Sequence, residues 1–145
     1  FMSDALYSGT RFRVLNIIDE GVREVLDIVV DTSITSGRLV RVLDQLKRER
    51  GLPSRIRCDN GPEMLSTAFT DWCRANSVAI DYIEPGMPNQ NAHIFENLTQ
   101  VRDISWAWRL SYNEERPHKS LGNIPPTDFR RRIEQAEYSI SELSH

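Results

Sequence analysis

Apolar and β-branched residues come in short runs over the first third of the chain and shift to three- and four-residue spacing afterwards. Arg11 to Asp19 (RFRVLNIID) and Glu24 to Asp31 (EVLDIVVD) read as strands, and Glu20-Gly21-Val22-Arg23 between them predicts a hairpin. Ser8-Gly9-Thr10 is a further turn, so Phe1 to Leu6 reads as the tail of an earlier strand. Leu39, Val42, Leu43 and Leu46 then fall on one face of a helix, capped by Thr35 or Ser36 and ended by Gly51 and Pro53. The alternating charges Arg41, Asp44, Lys47, Arg48 and Glu49 read as its solvated face.

Arg55 to Cys58 (RIRC) reads as a short strand running into Asp59-Asn60-Gly61-Pro62-Glu63. Pro62 suits the first position of a new helix, with Leu65, Phe69, Trp72 and Cys73 on its buried side. Val78 to Ile83 (VAIDYI) is the next strand, and Glu84 to Asn91 is a loop of turn formers, with a helix beginning around Asn91. Past Asn97, which pairs with Gln100 as a capping pattern, Leu98, Val101, Ile104 or Ser105, Trp108 and Tyr112 share a stripe. That spacing favours core over a base-stacking platform. Pro117 stops this helix, and a last one begins near Pro126-Thr127-Asp128 and carries Arg130, Arg131 and Arg132. Strands first, then helices interleaved with strands, predict a mixed α/β sheet with helices packed on it.

Composition narrows the class. The chain of 145 residues fits one domain with a real core, and 39% hydrophobic with 27% charged residues is ordinary for a globular protein. No apolar run approaches a membrane span, and no secretory signal opens the chain. Cys58 and Cys73 make no disulfide framework, and with three histidines they offer no zinc-finger spacing. The formal charge of −3 argues against a nucleic-acid partner. Metal-dependent DNA enzymes partly escape that objection, because acids gathered at a metal site lower the net charge while the cations reverse the local field.

Asp59 is the candidate for chemistry, at the end of a strand and just before a helix, although Asp-Asn-Gly is also a first-rate turn sequence. Its surroundings decide the matter. Ile56-Arg57-Cys58-Asp59-Asn60-Gly61-Pro62-Glu63 resembles the second acidic motif of bacterial insertion-sequence transposases, whose catalytic domain is similar to retroviral integrase and has a ribonuclease H-like fold. Pro85 to Ala92 (PGMPNQNA) resembles the loop leading into the helix that bears the third acid. Tyr112 to Gly122 (YNEERPHKSLG) resembles the near-terminal signature, and Pro125 to Phe129 (PPTDF) the closing element. Four collinear motifs make the resemblance specific over nearly the whole chain.

The resemblance implies a DNA transposase or integrase core that cleaves and joins DNA with two Mg²⁺ (or Mn²⁺) ions. Such a pair, about 4 Å apart, activates the attacking oxygen and stabilises the leaving one. Asp59 is then a metal ligand, with Asn60 and Glu63 in supporting roles. Asn91, His93, Arg116, His118 and Lys119 are candidate DNA contacts, against the plainer reading of solvated loops. The partners implied are the ends of a mobile element, target DNA and further copies of the chain, in a bacterial cytoplasm.

This sequence departs from that family in two places. The first catalytic aspartate of the family lies immediately before a Phe that resembles Phe1, and neither Asp4 nor Asp19 matches it. The third acid follows the second with thirty-five residues between, which selects position 95, a Phe; Glu96 is adjacent but does not match. Residues up to Ile94 resemble those before the missing glutamate, and residues from Phe95 onward resemble the start of the next helix. A stretch of about fifteen to twenty residues, longer than three helical turns, is missing between them. Either residues of a continuous chain are absent there, or the protein carries a deletion. The alternative to an active enzyme is therefore a decayed relative that binds DNA or a partner. An RNA-strand hydrolase of the same fold is disfavoured by the Tyr112 to Gly122 signature.

Overall fold

Alternation of side chains decides the first strands. In the computed structural model, whose described residues are 1–84 and 95–144, β1 (Met2–Ala5) pairs antiparallel with β2 (Arg11–Asp19), placing Phe12 opposite Asp4 and Arg13 opposite Ser3. Phe12 and Leu15 on β2 are buried. β3 (Glu24–Asp31) lies on the far side of β2, giving the order β1-β2-β3. β4 (Arg55–Cys58) and β5 (Ala79–Tyr82) form a parallel pair with Cys58 opposite Tyr82. Parallel neighbours require a crossover, and helices supply it. The expected mixed α/β fold, with antiparallel and parallel strands and flanking helices, is the one observed.

The chain forms two compact units. The first comprises Phe1–Val14 and Val30–Glu96. Its helix α1 (Ser36–Arg50) starts at Thr35, whose hydroxyl accepts from the Arg38 N–H at 3.2 Å, and stops at Gly51, whose φ of 82° suits glycine. Leu39, Leu43 and Leu46 are buried. The expected solvated face of α1 is interrupted at Asp44, which accepts a 2.7 Å hydrogen bond from the Trp72 indole.

The single helix expected from Pro62 is two. α2 (Pro62–Leu65) ends because Ser66 turns extended, and the Ser66 hydroxyl then caps α3 (Thr67–Ala75) by accepting from the Phe69 N–H at 3.2 Å. The break changes which side chain faces inward. Met64 is buried and Leu65 exposed, where the periodicity predicts Leu65 inside. Phe69, Trp72 and Cys73 are buried as expected.

The second unit comprises Leu15–Val29 and Asn97–His145. Its helix α4 (Leu98–Leu110) is capped by Asn97, whose side chain accepts from the Gln100 N–H at 2.9 Å. The apolar stripe expected to be core is largely not: Val101 is buried, but Ile104 is 50% and Trp108 40% exposed. The indole of Trp108 instead stacks on Tyr112 at 5.0 Å, and Tyr112 meets the His118 ring edge-on at 4.6 Å.

α4 runs into a π-helical turn, Ser111–Glu115, which swings Asn113 inward. There Asn113 accepts from the Val25 N–H and donates to the Val25 carbonyl, both at 2.8 Å, and Arg109 donates to the same carbonyl at 3.1 Å. α5 (Pro126–Leu143) is held at its start by Arg130, which donates to the buried Glu24 carboxylate at 2.9 Å. No helix among the described residues is long and apolar enough to cross a membrane.

Replacing Asn113 by Ala removes both hydrogen bonds and leaves the buried Val25 N–H without its acceptor. Asn113→Ala is expected to cost about 2–3 kcal/mol. Urea unfolding of the variant against the parent measures it, and a change near zero would show that the clamp is redundant.

Candidate functional site

β4 ends at Cys58, so Asp59 follows at the mouth of the parallel pair, half-buried, where the backbone turns into α2. The Asp59 carboxylate is oriented from two sides. Its Oδ1 accepts from the Gly61 N–H at 2.8 Å, an Asx turn, and its Oδ2 lies 3.3 Å from the Phe1 nitrogen at the start of the first strand. Glu63, in the first turn of α2, pairs with the guanidinium of Arg13 from β2. That guanidinium also lies 4.4 Å from the centre of the Phe1 ring.

Gly61 is the pivot of the arrangement. A Cβ added to it would fall 2.9 Å from Asp59 Oδ1 and 3.4 Å from Glu63 Oε2, so both carboxylates close over the space that glycine leaves empty. Partial burial pushes the Asp59 carboxyl up, but the Gly61 N–H and the positive charges of the Phe1 nitrogen and Arg13 outweigh it and hold the acid below its ordinary value. The hydrogen bond from Arg13 holds Glu63 low as well, against its burial and the neighbouring Asp59 charge. Cys58 is no nucleophile here: burial and the adjacent Asp59 charge push its thiol up to about 11.

The structure thus brings Asp59 and Glu63 together and leaves Asn60 exposed beside them. Asn91, His93 and the junction from Ile94 to Phe95 lie outside the described residues. In the second unit Arg116 and Lys119 are exposed, while His118 is half-buried against Tyr112. Glu96 is exposed, and Phe95 packs its ring against Phe12 at 6.1 Å. Sequence reasoning missed Arg13 and the steric role of Gly61. Alternation along β2 puts Arg13 on the face opposite Phe12, but nothing in the pattern names its partner.

The geometry bears directly on a two-metal centre. Among the described residues no group of three or more His, Cys, Asp or Glu side chains converges as a metal site. Asp59 is a single carboxylate, and its acidic neighbour is already paired with a cationic side chain. The described residues by themselves therefore do not make up a two-ion ligand set.

Comparison with known proteins agrees with the fold and limits the chemistry. Residues 2–88 match one family model described as integrase core domain, and residues 91–126 match a second of the same description. The chain is 39% identical to an uncharacterized 39.2 kDa protein of insertion element IS476 from Xanthomonas euvesicatoria, over 97% of this chain and 46% of that protein. It is 38% identical to an uncharacterized 31.7 kDa protein of insertion element IS407 from Burkholderia multivorans, over 89% of this chain and 52% of the relative. The chain thus spans about half the length of the curated relatives it matches. The IS476 alignment runs over 158 positions, 13 more than the 145 residues here, so that relative carries residues this chain lacks.

Among solved structures, the HTLV-2 integrase catalytic core domain in complex with magnesium superposes with a TM-score of 0.61 in its trimeric form, covering 88% of this chain and 92% of that one at 16% identity. The catalytic core domain of BIV integrase gives 0.57, with 94% and 95% covered at 14% identity. At such identities the likeness is one of fold, the ribonuclease H-like α/β core.

Two outcomes follow from the geometry around Gly61. Because the folded-state acidity of Asp59 and Glu63 is increased, the stability they contribute is full above the unfolded carboxylate range, about pH 4, and is lost as pH falls through their lower folded values. Unfolding measured from pH 7 to 2 is expected to show a shallower acid loss in Glu63→Gln than in the parent. An equally steep loss in both would remove Glu63 from that account. Gly61→Ala is expected to fold, since φ at this residue is an ordinary −61°, while turning the Asp59 carboxylate aside. Lost protection of the residue 61 amide in hydrogen exchange, at a stability cost of about 1 kcal/mol, is the signature.

Proposed function

Because this chain belongs to the integrase core domain family, we propose that it is a DNA-binding core of the transposase kind that retains one acid of the metal site, Asp59, and does not cut or join DNA as these 145 residues. The observation that carries this reading is the isolation of the Asp59 carboxylate from any further unpaired acid among the described residues. One carboxylate cannot hold two divalent ions in register. Asn60 and Glu63 support it locally: Glu63 anchors Arg13, and Asn60 occupies the turn that aims the acid.

DNA is held, in this reading, through its phosphates. Arg116 and Lys119 are exposed for that role, and Asn91, His93 and His118 are the further contacts proposed. The formal charge of −3 makes the binding weak and local rather than a broad electrostatic footprint. The bacterial insertion elements that encode both relatives support a cytoplasmic setting and element ends as the DNA. Self-association through the core is proposed by analogy with the dimeric and trimeric forms of the HTLV-2 domain.

A second reading is favoured by one specific observation. The IS476 alignment is longer than this chain and so supports residues that this chain lacks; in this reading they lie between Ile94 and Phe95 and bear a further acid. With three carboxylates in place, Asp59 would ligate Mg²⁺ or Mn²⁺, and the chemistry supplied would be two-metal strand cleavage and transfer.

The test uses a labelled duplex bearing an insertion-element end, with Mg²⁺ or Mn²⁺ present. The 145-residue chain is expected to bind it with a shallow salt dependence, a slope of about −2 in log K against log salt, and to join no strands. Metal-dependent joining by this chain, abolished in Asp59→Asn, would overturn the non-catalytic reading in favour of the second. Absence of any salt-sensitive binding would overturn the DNA-binding part of both.

A further inference from the structure

We propose that Arg13 is the internal counter-cation of the Asp59–Glu63 pair, supplying the neutralisation that a divalent ion would otherwise provide, and that it fixes the direction of the Asp59 carboxylate. The proposal rests on Asp59 being the retained acid of the site, but not on DNA binding.

Two contacts converge on this one side chain. Arg13 stands on β2 opposite Ser3, two residues from Phe1 along β1, and its guanidinium covers the Phe1 ring at 4.4 Å. The same guanidinium grips Glu63 Oε1 in the first turn of α2. The first strand, which starts beside Asp59 Oδ2, and α2, which follows Asp59, are therefore both held by a single planar cation. Arginine suits the task because its fork can grip a carboxylate while its face lies on an aromatic ring.

The charge balance gives the contact its consequence. Glu63 Oε2 is buried and has no hydrogen-bond partner among the described residues, and it borders with Asp59 Oδ1 the space above Gly61. Two carboxylates this close and partly withdrawn from water repel unless a positive charge lies with them. Arg13 is the positive side chain paired with Glu63 in the structure. Without it, the pair would present unneutralised hard oxygen atoms, which is what divalent ions bind.

The experiment uses the full 145-residue chain, Mn²⁺ alone as probe, and amide NMR. In the parent, Mn²⁺ is expected to cause no selective broadening at Gly61 and Glu63, and the Gly61 amide is expected to exchange slowly. Arg13→Met, which keeps the stem and removes the charge, should bring selective broadening at those two amides with an apparent affinity at least about tenfold tighter. The same variant should lose protection at Gly61 alone. Adding Glu63→Gln to Arg13→Met should abolish the broadening, and Arg13→Lys, which keeps the charge, should behave as the parent towards Mn²⁺. Arg13→Gln, neutral yet able to donate to Glu63, carries the test should the Met variant not fold. Parent-like exclusion of Mn²⁺ in both neutral variants, or equal Mn²⁺ binding with and without Arg13, would overturn the proposal. Neither result touches the DNA-binding reading, which the salt-dependent duplex assay tests separately.

Discussion

Two carboxylates that lean over the same glycine, half out of water, set the terms for the first unit of this protein. Asp59 is fixed by the strand it follows, and Glu63 by the helix that starts three residues after Asp59, so neither can retreat from the other. Compensation has to come from outside the motif, and it comes from β2, where alternation places Arg13 on the face opposite Phe12. The antiparallel register between the first two strands thereby becomes part of the electrostatics of the site. A one-residue slip would turn Arg13 to the other face and bring Phe12 out of the core.

Much of this fold was legible because its strands are short runs bounded by turn formers. β2, β3 and β4 coincide with the runs read from the sequence, and Thr35, Gly51 and Asn97 perform the capping roles that their positions suggest. What periodicity cannot supply is the identity of the facing surface. The break at Ser66 illustrates this. A hydroxyl that is a modest helix residue becomes a good cap once the backbone turns, and the inward position moves from Leu65 to Met64. The stripe on α4 is a second case. Its apolar spacing is real, yet the face turned inward is marked by buried Val101 and by Arg109, whose guanidinium reaches the Val25 carbonyl.

The site was legible to a smaller degree. Asp59 stands where its motif puts it, at a strand end before a helix, and Glu63 stands beside it. Arg13 lies 46 positions earlier in the chain than Asp59, and no local pattern links the two. The Tyr112 to Gly122 segment divides in a way that sequence could not foresee. Asn113 is taken up by the backbone of Val25, and Tyr112 by the rings of Trp108 and His118. Of its basic residues Arg116 and Lys119 are exposed and His118 is half-buried, so a motif that reads as one basic cluster is partly structural.

Fold and chemistry separate cleanly in such a chain. A ribonuclease H-like core begins the crossover to the next helix at the mouth of its parallel strand pair, and in this chain Asp59 stands at that point. Catalysis demands more: further carboxylates delivered from other elements to the same point, each adding a negative charge that only bound cations can offset. Asp59 and Glu63 stand close enough to repel each other and need a positive charge beside them. An arginine that pairs with Glu63 and, after the Gly61 N–H, helps hold the Asp59 carboxyl below its ordinary value answers that need from within the protein. The same residue that makes the partial site stable as a protein feature therefore also makes it a poorer trap for metal, and stability and metal affinity oppose each other at Arg13.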